Sequence, residues 1–350
     1  MGPADRRTVA ARMWRALRGL LVLIVAAWGA LALWFQLPGP WPLRALVITG
    51  WCALGVLAIV RPQRPGRRMP GVAFAVAFVV MLGWWSTLAP SHDRDWADDV
   101  ARLLEARVDG DRLTLHNVRN FEWRSETDYT TRWETRSYDL DRLESADLIL
   151  SYWMGPHIAH TLVSFGFEDG EQLVFSLEIR KERHEGFSAI GGFFRKFEQV
   201  IIAADERDIV RTRSNARGED VYLYRLRMAP EAVRALLLGY IDSSAELRHA
   251  PRFYNTLTSN CTTIIYRLAR HIAPTLPVDY RLLLSGHFAE YAYDHGGLTP
   301  GHDYAGLQAR GHINARALAS DAAADDPSAF SRAIRRGVPG IAQEHEKDDE

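Results

Sequence analysis

The chain has 350 residues, a formal net charge of −1 and 24% charged residues. These averages suit a soluble enzyme, and a charge so close to zero lacks the basic excess of a nucleic-acid-binding protein, so we expect no nucleic-acid partner. The averages conceal three long apolar stretches near the N-terminus, at about 19–37, 45–60 and 71–89. The sequence therefore combines a membrane anchor with a soluble domain.

The three apolar stretches are predicted to span a membrane. A spanning helix needs about 20 apolar residues, with a range of about 17–25. The first and third stretches have this length, and the second approaches it with flanking residues such as Leu43. The first has a basic start, as a secretory signal peptide does, but its apolar run is too long and two more follow at once. We predict an anchor over residues 1–90, with helices at about 16–37, 43–60 and 71–89.

Arginine placement predicts the orientation of the anchor. Only Arg44 lies in the short connection between the first two stretches. The other arginines of this region precede the first stretch or fill the connection between the second and third: Arg6, Arg7, Arg12, Arg15, Arg18, Arg61, Arg64, Arg67 and Arg68. Because arginine-rich segments stay in the cytoplasm, the third helix exits, and everything after Pro90 lies outside the cytoplasm.

The remaining chain is long enough for one sizeable core, and we predict a single α+β domain over residues 91–310. Its clearest local signal is a β-hairpin, because β-rich runs at 160–167 and 173–180 flank Asp169 and Gly170, a hairpin turn pair. The glycine- and phenylalanine-rich stretch 185–197 suggests a flexible flap. Beyond about Arg310 the pattern fades towards a charged end at 344–350, so we predict that 311–350 is largely disordered.

Cys261 is the candidate nucleophile. The other cysteine, Cys52, lies in the second predicted span, so the two cannot pair. Thr258, Ser259 and Asn260 are helix-capping residues that place Cys261 at a helix start. Unpaired N–H groups and the positive end of the helix dipole stabilise a thiolate there. The alternative is that Cys261 packs as a small apolar residue, for which an interior helical position is more usual.

His160 is the candidate base, because it starts the first strand of the predicted hairpin. A turn centred on Asp169 places Glu178 opposite His160, where a carboxylate would fix the tautomer of the imidazole and support its protonated form. A slip of one residue would move the partner to the other face of the sheet. The alternative for Glu178 is a solvated strand residue paired with Arg180.

Cofactor chemistry has little support in the sequence. His157 and His160 have the spacing of a metal-binding pair, but no further Glu or Cys joins them at a convincing spacing. The phosphate-binding patterns G-x-x-x-x-G-K-[ST] and G-x-G-x-x-G are absent from the sequence, and the surroundings of Ser285 do not form G-x-S-x-G. We expect neither a metal nor a cofactor.

Five short motifs occur in the order of one bacterial family: PSHDRDW (90–96), NVRNF (117–121), SLEIR (176–180), DERD (205–208) and NCTT (260–263). Over about residues 90–300 the chain resembles the DUF4105 family, also called the Lnb N-terminal periplasmic domain. The resemblance implies a lipoprotein transacylase that moves an acyl chain from a glyceryl group to the α-amine of a lipoprotein's N-terminal cysteine. It places the family's cysteine and histidine at Cys261 and His160.

The resemblance also implies a fold and a location. A histidine strand that precedes a cysteine helix is similar to circularly permuted papain-like thiol enzymes of the NlpC/P60 and LRAT-like kind. We therefore expect three transmembrane helices followed by a permuted papain-like domain with an antiparallel sheet. The location implied is the bacterial inner (cytoplasmic) membrane, with a multi-pass anchor and the domain on the periplasmic side.

The expected activity is acyl transfer through a thioester on Cys261, with the bilayer and a membrane lipid or lipoprotein as partners. Backbone N–H groups at the helix start, around Asn260 and Thr262 and including that of Cys261, would hold the oxyanion. Four arginines are candidates for lipid headgroup binding, or are ordinary surface charges: Arg180, Arg183, Arg207 and Arg211. Four phenylalanines line an acyl groove or belong to the core: Phe187, Phe193, Phe194 and Phe197.

Two other functions stay open at this level. The first is a membrane-tethered cysteine hydrolase that cleaves peptide or cell-wall amide bonds. The second is a non-enzymatic sensor or envelope scaffold with a degenerate site.

Overall fold

The computed structural model describes residues 3–60, 69–320 and 327–342. The chain divides into two compact units. The helical unit comprises Met1–Ser91 with Ser188–Lys196, and the sheet unit comprises His92–Phe187 with Phe197–Glu350.

The helical unit contains the three predicted apolar helices: α1 (Pro3–Gln36), α2 (Trp41–Val60) and α3 (Met69–Thr87). All three are long and apolar enough to cross a membrane. Large apolar side chains on their outer faces are exposed, with 54% of Leu20, 70% of Leu46 and 67% of Val79 accessible, as expected for helices that face lipid. The prediction of three apolar helices is confirmed. The side chains of Arg6 and Arg7 and the arginines at 61–68 lie outside the described residues.

Close helix packing in this unit depends on a small residue. Trp51 of α2 lies against Phe74 of α3, with ring centroids 4.7 Å apart, and its Nε1 donates to the Ala26 carbonyl of α1 at 2.8 Å. A Cβ atom on Gly29 would lie 2.6 Å from atoms of Trp51 and Met81. Gly29 therefore allows the three helices to approach one another.

The central part of the predicted flap folds with these helices. Phe194 stacks on Phe35 with centroids 5.8 Å apart, and Gln36 Nε2 donates to the Phe194 carbonyl at 2.8 Å. Arg195 donates to the Trp85 carbonyl at 2.8 Å and lies 4.9 Å from the centre of the Trp85 ring. Ser188–Lys196 is thus a packed part of the helical unit.

The sheet unit is built on strands that alternate with short helices. The strands are β1 (Glu105–Asp109), β2 (Arg112–Arg119), β3 (Glu122–Trp123), β4 (Tyr129–Thr130), β5 (Trp133–Asp139), β6 (Leu143–Tyr152), β7 (Ala159–Phe167), β8 (Gln172–Arg180), β9 (Glu198–Ala204) and β10 (Asp220–Arg225). The helices are α4 (Glu206–Arg211), α5 (Pro230–His249), α6 (Cys261–Ile272), α7 (Phe288–Asp294), α8 (Tyr304–Gly311), α9 (Asn314–Ala319) and α10 (Pro327–Arg335).

The main sheet is almost entirely antiparallel. Its order is β1-β2-β9-β8-β7-β6-β10, with β5 paired to β2. The one parallel pairing among the described residues is a single contact between Arg119 and Ala204. The predicted α+β class is therefore confirmed.

Apolar side chains from both faces of the sheet are buried. On one face, Phe165 and Phe175 pack with Tyr240 of α5, and Ile264 and Leu268 of α6 belong to the same cluster. A second cluster joins the other face to α4, α9 and α10. Because successive strand residues point to opposite faces of the sheet, β7 and β8 contribute apolar side chains to both clusters.

The prediction that residues 311–350 are largely disordered is wrong for the described part. Ile313, Ala317, Phe330 and Ile334 are almost fully buried in the second cluster. In α10 the apolar residues recur only at helical spacing among polar ones, and so short an amphipathic helix has no apolar run to reveal it. The charged end at 344–350 lies outside the described residues.

Candidate active site

The β7–β8 hairpin has the register that the sequence predicts. Val163 pairs with Phe175, and the pairs continue to the turn, where Gly170 has a φ of +83°. The same register carried towards the strand ends places His160 and Glu178 beside each other. His160 Nε2 lies 3.1 Å from Glu178 Oε1. The structure thus brings His160 and Glu178 together, and their catalytic role stays a prediction.

The cysteine helix also begins at the predicted residue. Cys261 is the first residue of α6, and Asn260 is its N-cap. Asn260 Oδ1 accepts hydrogen bonds from Thr262 N at 3.0 Å and Thr263 N at 2.9 Å, while Asn260 N donates to Thr263 Oγ1 at 2.8 Å. This capping box fixes the first turn and therefore the position of the thiol.

The thiol of Cys261 shares a hydrogen bond with the imidazole of His160. Only 6% of Cys261 is exposed. His160 Nε2 is occupied, since it also lies 2.7 Å from Ser176 Oγ. We therefore assign Nδ1 as the nitrogen that faces the thiol, which gives the linear order thiol, imidazole and carboxylate of a nucleophilic triad.

Two residues that the sequence analysis missed support Glu178. Ser176 Oγ donates to Glu178 Oε1 at 2.8 Å, and Arg213 Nη2 donates to the same oxygen at 2.8 Å. Ser176 was recognisable in principle, because it stands two residues before Glu178 on one face of β8. Arg213 had no local signal: it is buried and comes from a π-helical turn, Thr212–Ala216, that follows α4.

The charges of the site favour a thiolate–imidazolium pair. Burial lowers the pKa of His160, but the carboxylate of Glu178 and the thiolate of Cys261 outweigh burial and raise this pKa to about 9. Burial raises the pKa of Cys261, yet the protonated imidazole prevails and lowers it. The pKa of Glu178 falls well below its ordinary value, because His160 and Arg213 overcome the effect of burial. The three pKa shifts thus all favour the ionised forms of these groups.

The helix start offers fewer oxyanion donors than predicted. The N–H of Thr262 is already donated to Asn260, and its hydroxyl lies 3.1 Å from Thr161 Oγ1, which braces α6 against β7. Asn260 Nδ2 donates to the Thr256 carbonyl at 2.7 Å. Asn260 and Thr262 are therefore structural rather than oxyanion donors. In the described part of the chain, the N–H of Cys261 has no hydrogen-bond acceptor, so it stays the candidate oxyanion donor.

The four candidate headgroup arginines do not form one site. Arg180 is buried: it donates to the Val100 and Ala101 carbonyls and lies 4.4 Å from the centre of the Trp96 ring. The prediction that it binds headgroups is wrong, because carbonyl oxygens and an aromatic face already solvate its charge.

The other three arginines stand on two parts of the fold: Arg183 follows β8, and Arg207 and Arg211 belong to α4. Arg183 forms ion pairs with Asp95 at 3.1 Å and Asp98 at 2.7 Å, and Arg211 donates to the Trp123 carbonyl at 2.8 Å. Arg207 is partly exposed at the start of α4. Headgroup binding by these residues stays a prediction.

The candidate phenylalanines are also divided. Phe197 is fully buried in the sheet unit, whereas Phe193 and Phe194 belong to the helical unit. Phe187 is 56% exposed and packs edge-on against Trp153 with centroids 4.9 Å apart. Phe197 is therefore a core residue, as the alternative interpretation had it.

The histidine pair considered for metal binding is separated by its contacts. His157 Nδ1 lies 2.8 Å from His287 Nε2, while His160 faces Ser176 and Glu178. Among the described residues, no three potential ligands converge on a point where a metal ion could bind.

Comparison with protein families gives a match to the Lnb N-terminal periplasmic domain over residues 129–286. The matched region includes His160, Glu178 and Cys261, but not the first two of the five motifs. Comparison with curated proteins finds no match, and comparison with solved structures finds none either. The chain is a membrane protein in which residues 129–286 match the Lnb N-terminal periplasmic domain, the family that the sequence motifs predicted.

Proposed function

We propose that the chain is a membrane-anchored thiol acyltransferase that carries an acyl group as a thioester on Cys261. One observation carries the proposal: the thiol stands at a capped helix start, hydrogen-bonded to a histidine whose far nitrogen faces the carboxylate of Glu178. Buried ion pairs that perturb the pKa of a cysteine and a histidine together are typical of nucleophilic sites.

The proposed reaction has two balanced steps. The thiolate of Cys261 attacks the carbonyl carbon of an ester, and the N–H of Cys261 stabilises the oxyanion. The C–O bond then breaks, and protonated His160 gives its proton to the departing alcohol, which leaves a lyso product and a thioester. In the second step His160 takes a proton from an amine as that amine attacks the thioester, and the thiolate leaves.

An ester of a lipid or of a lipidated protein is the favoured substrate. Three helices of membrane-spanning length belong to the same chain, so acyl esters are the abundant electrophiles wherever it resides. A multi-pass location in the inner membrane, with Cys261 on the periplasmic side, is part of the proposal. A cysteine hydrolase would use the same triad, and the products of the second step distinguish it.

The test is intact-mass analysis of the full-length protein after incubation with a diacyl lipid and rapid acid quenching. We expect a mass increase of one acyl chain on the peptide that contains Cys261, removed by neutral hydroxylamine, and slower formation of this adduct in His160→Gln, because protonated His160 supplies the proton of the departing alcohol. Cys52 is the internal control and should remain unmodified. If Cys261→Ala acquires the same mass increase, or no adduct forms with any diacyl donor, the proposal is wrong.

A further inference from the structure

A small cavity lies beside the first turn of α6 and is separate from the triad. Its volume is about 80 Å³, and it is bounded by α5, α6 and the segment that precedes Cys261. Ser259 and Thr263 both line it, and each stands two residues from Cys261. Cys261, His160 and Glu178 do not line it, so the proposed reaction steps do not use this cavity.

The cavity has an excess of positive charge. Arg252 and Arg267 line it, and its described lining residues include no carboxylate. Arg252 forms a 3.2 Å ion pair with Glu246, but both side chains are about half exposed, so water screens that pair. Arg267 donates to Ser243 Oγ at 3.4 Å and, within the part of the chain that the structure describes, has no acidic partner.

The walls of the cavity suit a compact anion. Three residues that carry hydroxyl groups, Ser243, Thr258 and Ser259, line the same cavity as the two arginines. Leu177 and Ile264 form buried apolar walls, 3% and 5% exposed, and apolar walls strengthen hydrogen bonds to charged groups. A guanidinium group can donate two parallel hydrogen bonds to the oxygens of one phosphate, and hydroxyl groups add further donors.

The segment that carries the hydroxyls is held in place without a ligand. Asn255 Oδ1 accepts from Leu257 N and Thr258 N at 3.0 Å each, and Asn255 and Ser259 form a small β-bridge. Binding would therefore cost little ordering of the loop.

We infer that this cavity binds a phosphate group, and that the acyl donor is accordingly a glycerophospholipid. The second half of the inference depends on the proposed function. Two residues span at most about 7 Å, and the phosphate of such a lipid is only a few bonds from its ester carbonyls. A phosphate in the cavity would thus hold an ester within reach of Cys261. A glyceryl group joined to a protein through sulfur lacks this phosphate.

The test measures binding to full-length Cys261→Ala in phosphate-free detergent, so that no chemistry is needed. The probes are inorganic phosphate, a short-chain phosphatidylglycerol and the matching short-chain diacylglycerol, titrated by calorimetry. We expect Arg267→Gln to weaken binding of both phosphate probes about tenfold or more, and Arg267→Lys to weaken it less. Arg270→Gln is the matched control: it is exposed on the same helix, outside the cavity, 5.9 Å from the Tyr266 ring.

Two outcomes would overturn the inference. Equal binding by Arg267→Gln and Arg270→Gln would show that the cavity does not bind phosphate. Equal binding of the diacylglycerol and the phosphatidylglycerol, or binding of inorganic phosphate alone, would remove the phospholipid assignment. The absence of any thioester on Cys261, with phosphate binding intact, would instead refute the proposed function.

Discussion

Replacing Arg213 by methionine removes one end of a buried row of alternating charges. In the ionised site the row runs from Arg213 through Glu178 and His160 to Cys261, and it sums to zero. Arg213 Nη2 lies 2.8 Å from Glu178 Oε1, and the two side chains are 6% and 17% exposed. Methionine keeps much of the volume but leaves Glu178 without its guanidinium partner.

The expected loss of stability is about 3 kcal/mol, the lower end of the about 3–5 kcal/mol cost of breaking a buried ion pair. The lower end applies because Glu178 keeps its contacts with His160 and Ser176. The positive charge of Arg213 also lowers the pKa of His160. Its removal therefore raises this pKa above about 9 as long as Glu178 stays ionised.

Two measurements check this expectation on the full-length protein. Urea unfolding should show the loss of stability, and Arg213→Lys should recover part of it because the charge returns. The basic limb of the pH profile for thioester formation, which depends on protonated His160, should move to higher pH in Arg213→Met. A stability loss with an unmoved or lowered basic limb would mean that Arg213 only fills space beside the triad.

Three further predictions concern Glu178, Asn260 and Arg335. Glu178→Gln removes the carboxylate that contributes most to the raised pKa of His160. Because this pKa is raised in the folded protein, the stabilisation is complete below about pH 6.5 and is lost as the pH rises through about 9. The Tm difference between wild type and variant should therefore shrink over that interval. Asn260→Ala removes the helix cap and should cost about 0.5–2 kcal/mol in urea unfolding, while iodoacetamide labelling of Cys261 in a Cys52→Ser background shifts to higher pH. Arg335→Met removes the guanidinium group that lies 2.9 Å from Asp147 and 2.6 Å from Glu206; it leaves Asp147 with Arg225 as its cation and Glu206 with no cation among the described residues. We expect it to destabilise the protein by about 3–5 kcal/mol, whereas the exposed neighbour Arg336→Met should be neutral. The first expectation would be contradicted by a Tm difference that does not change with pH. The second would be contradicted by an unchanged midpoint of labelling, and the third by an Arg335→Met variant that is as stable as Arg336→Met.

The triad could be predicted because each of its parts follows a local rule. The Asp169–Gly170 turn sets the pairing of the two hairpin strands, and the alternation of side chains then places Glu178 beside His160. Asn260 marks the helix start at Cys261 through capping preferences alone. Only the contact between α6 and the hairpin is tertiary, and it was predicted from the resemblance to the family, whose motifs occur in the same order.

Residues whose partners are distant in the chain could not be placed in the same way. Arg180 reads as a surface charge at the end of a strand, yet carbonyl groups some 80 positions earlier bury it. Arg335 lies in a stretch that reads as disordered, yet it joins the main sheet at Asp147, 188 positions away. In both cases a charged arginine donates hydrogen bonds to residues that are distant in the chain, and composition and periodicity do not encode such contacts.

The family motifs themselves divide into two kinds. SLEIR and NCTT supply Ser176, Glu178 and Cys261, which form the site. NVRNF and DERD instead hold each other: Arg119 donates both Nε and Nη2 to Asp208, at 2.8 and 3.0 Å. Asp208 is fully buried. Asp205–Asp208 nevertheless begins the helix that leads into the π-turn bearing Arg213, so this brace positions the far end of the charge row. NVRNF and DERD carry no reactive group, but they thus help to position the residues of the site.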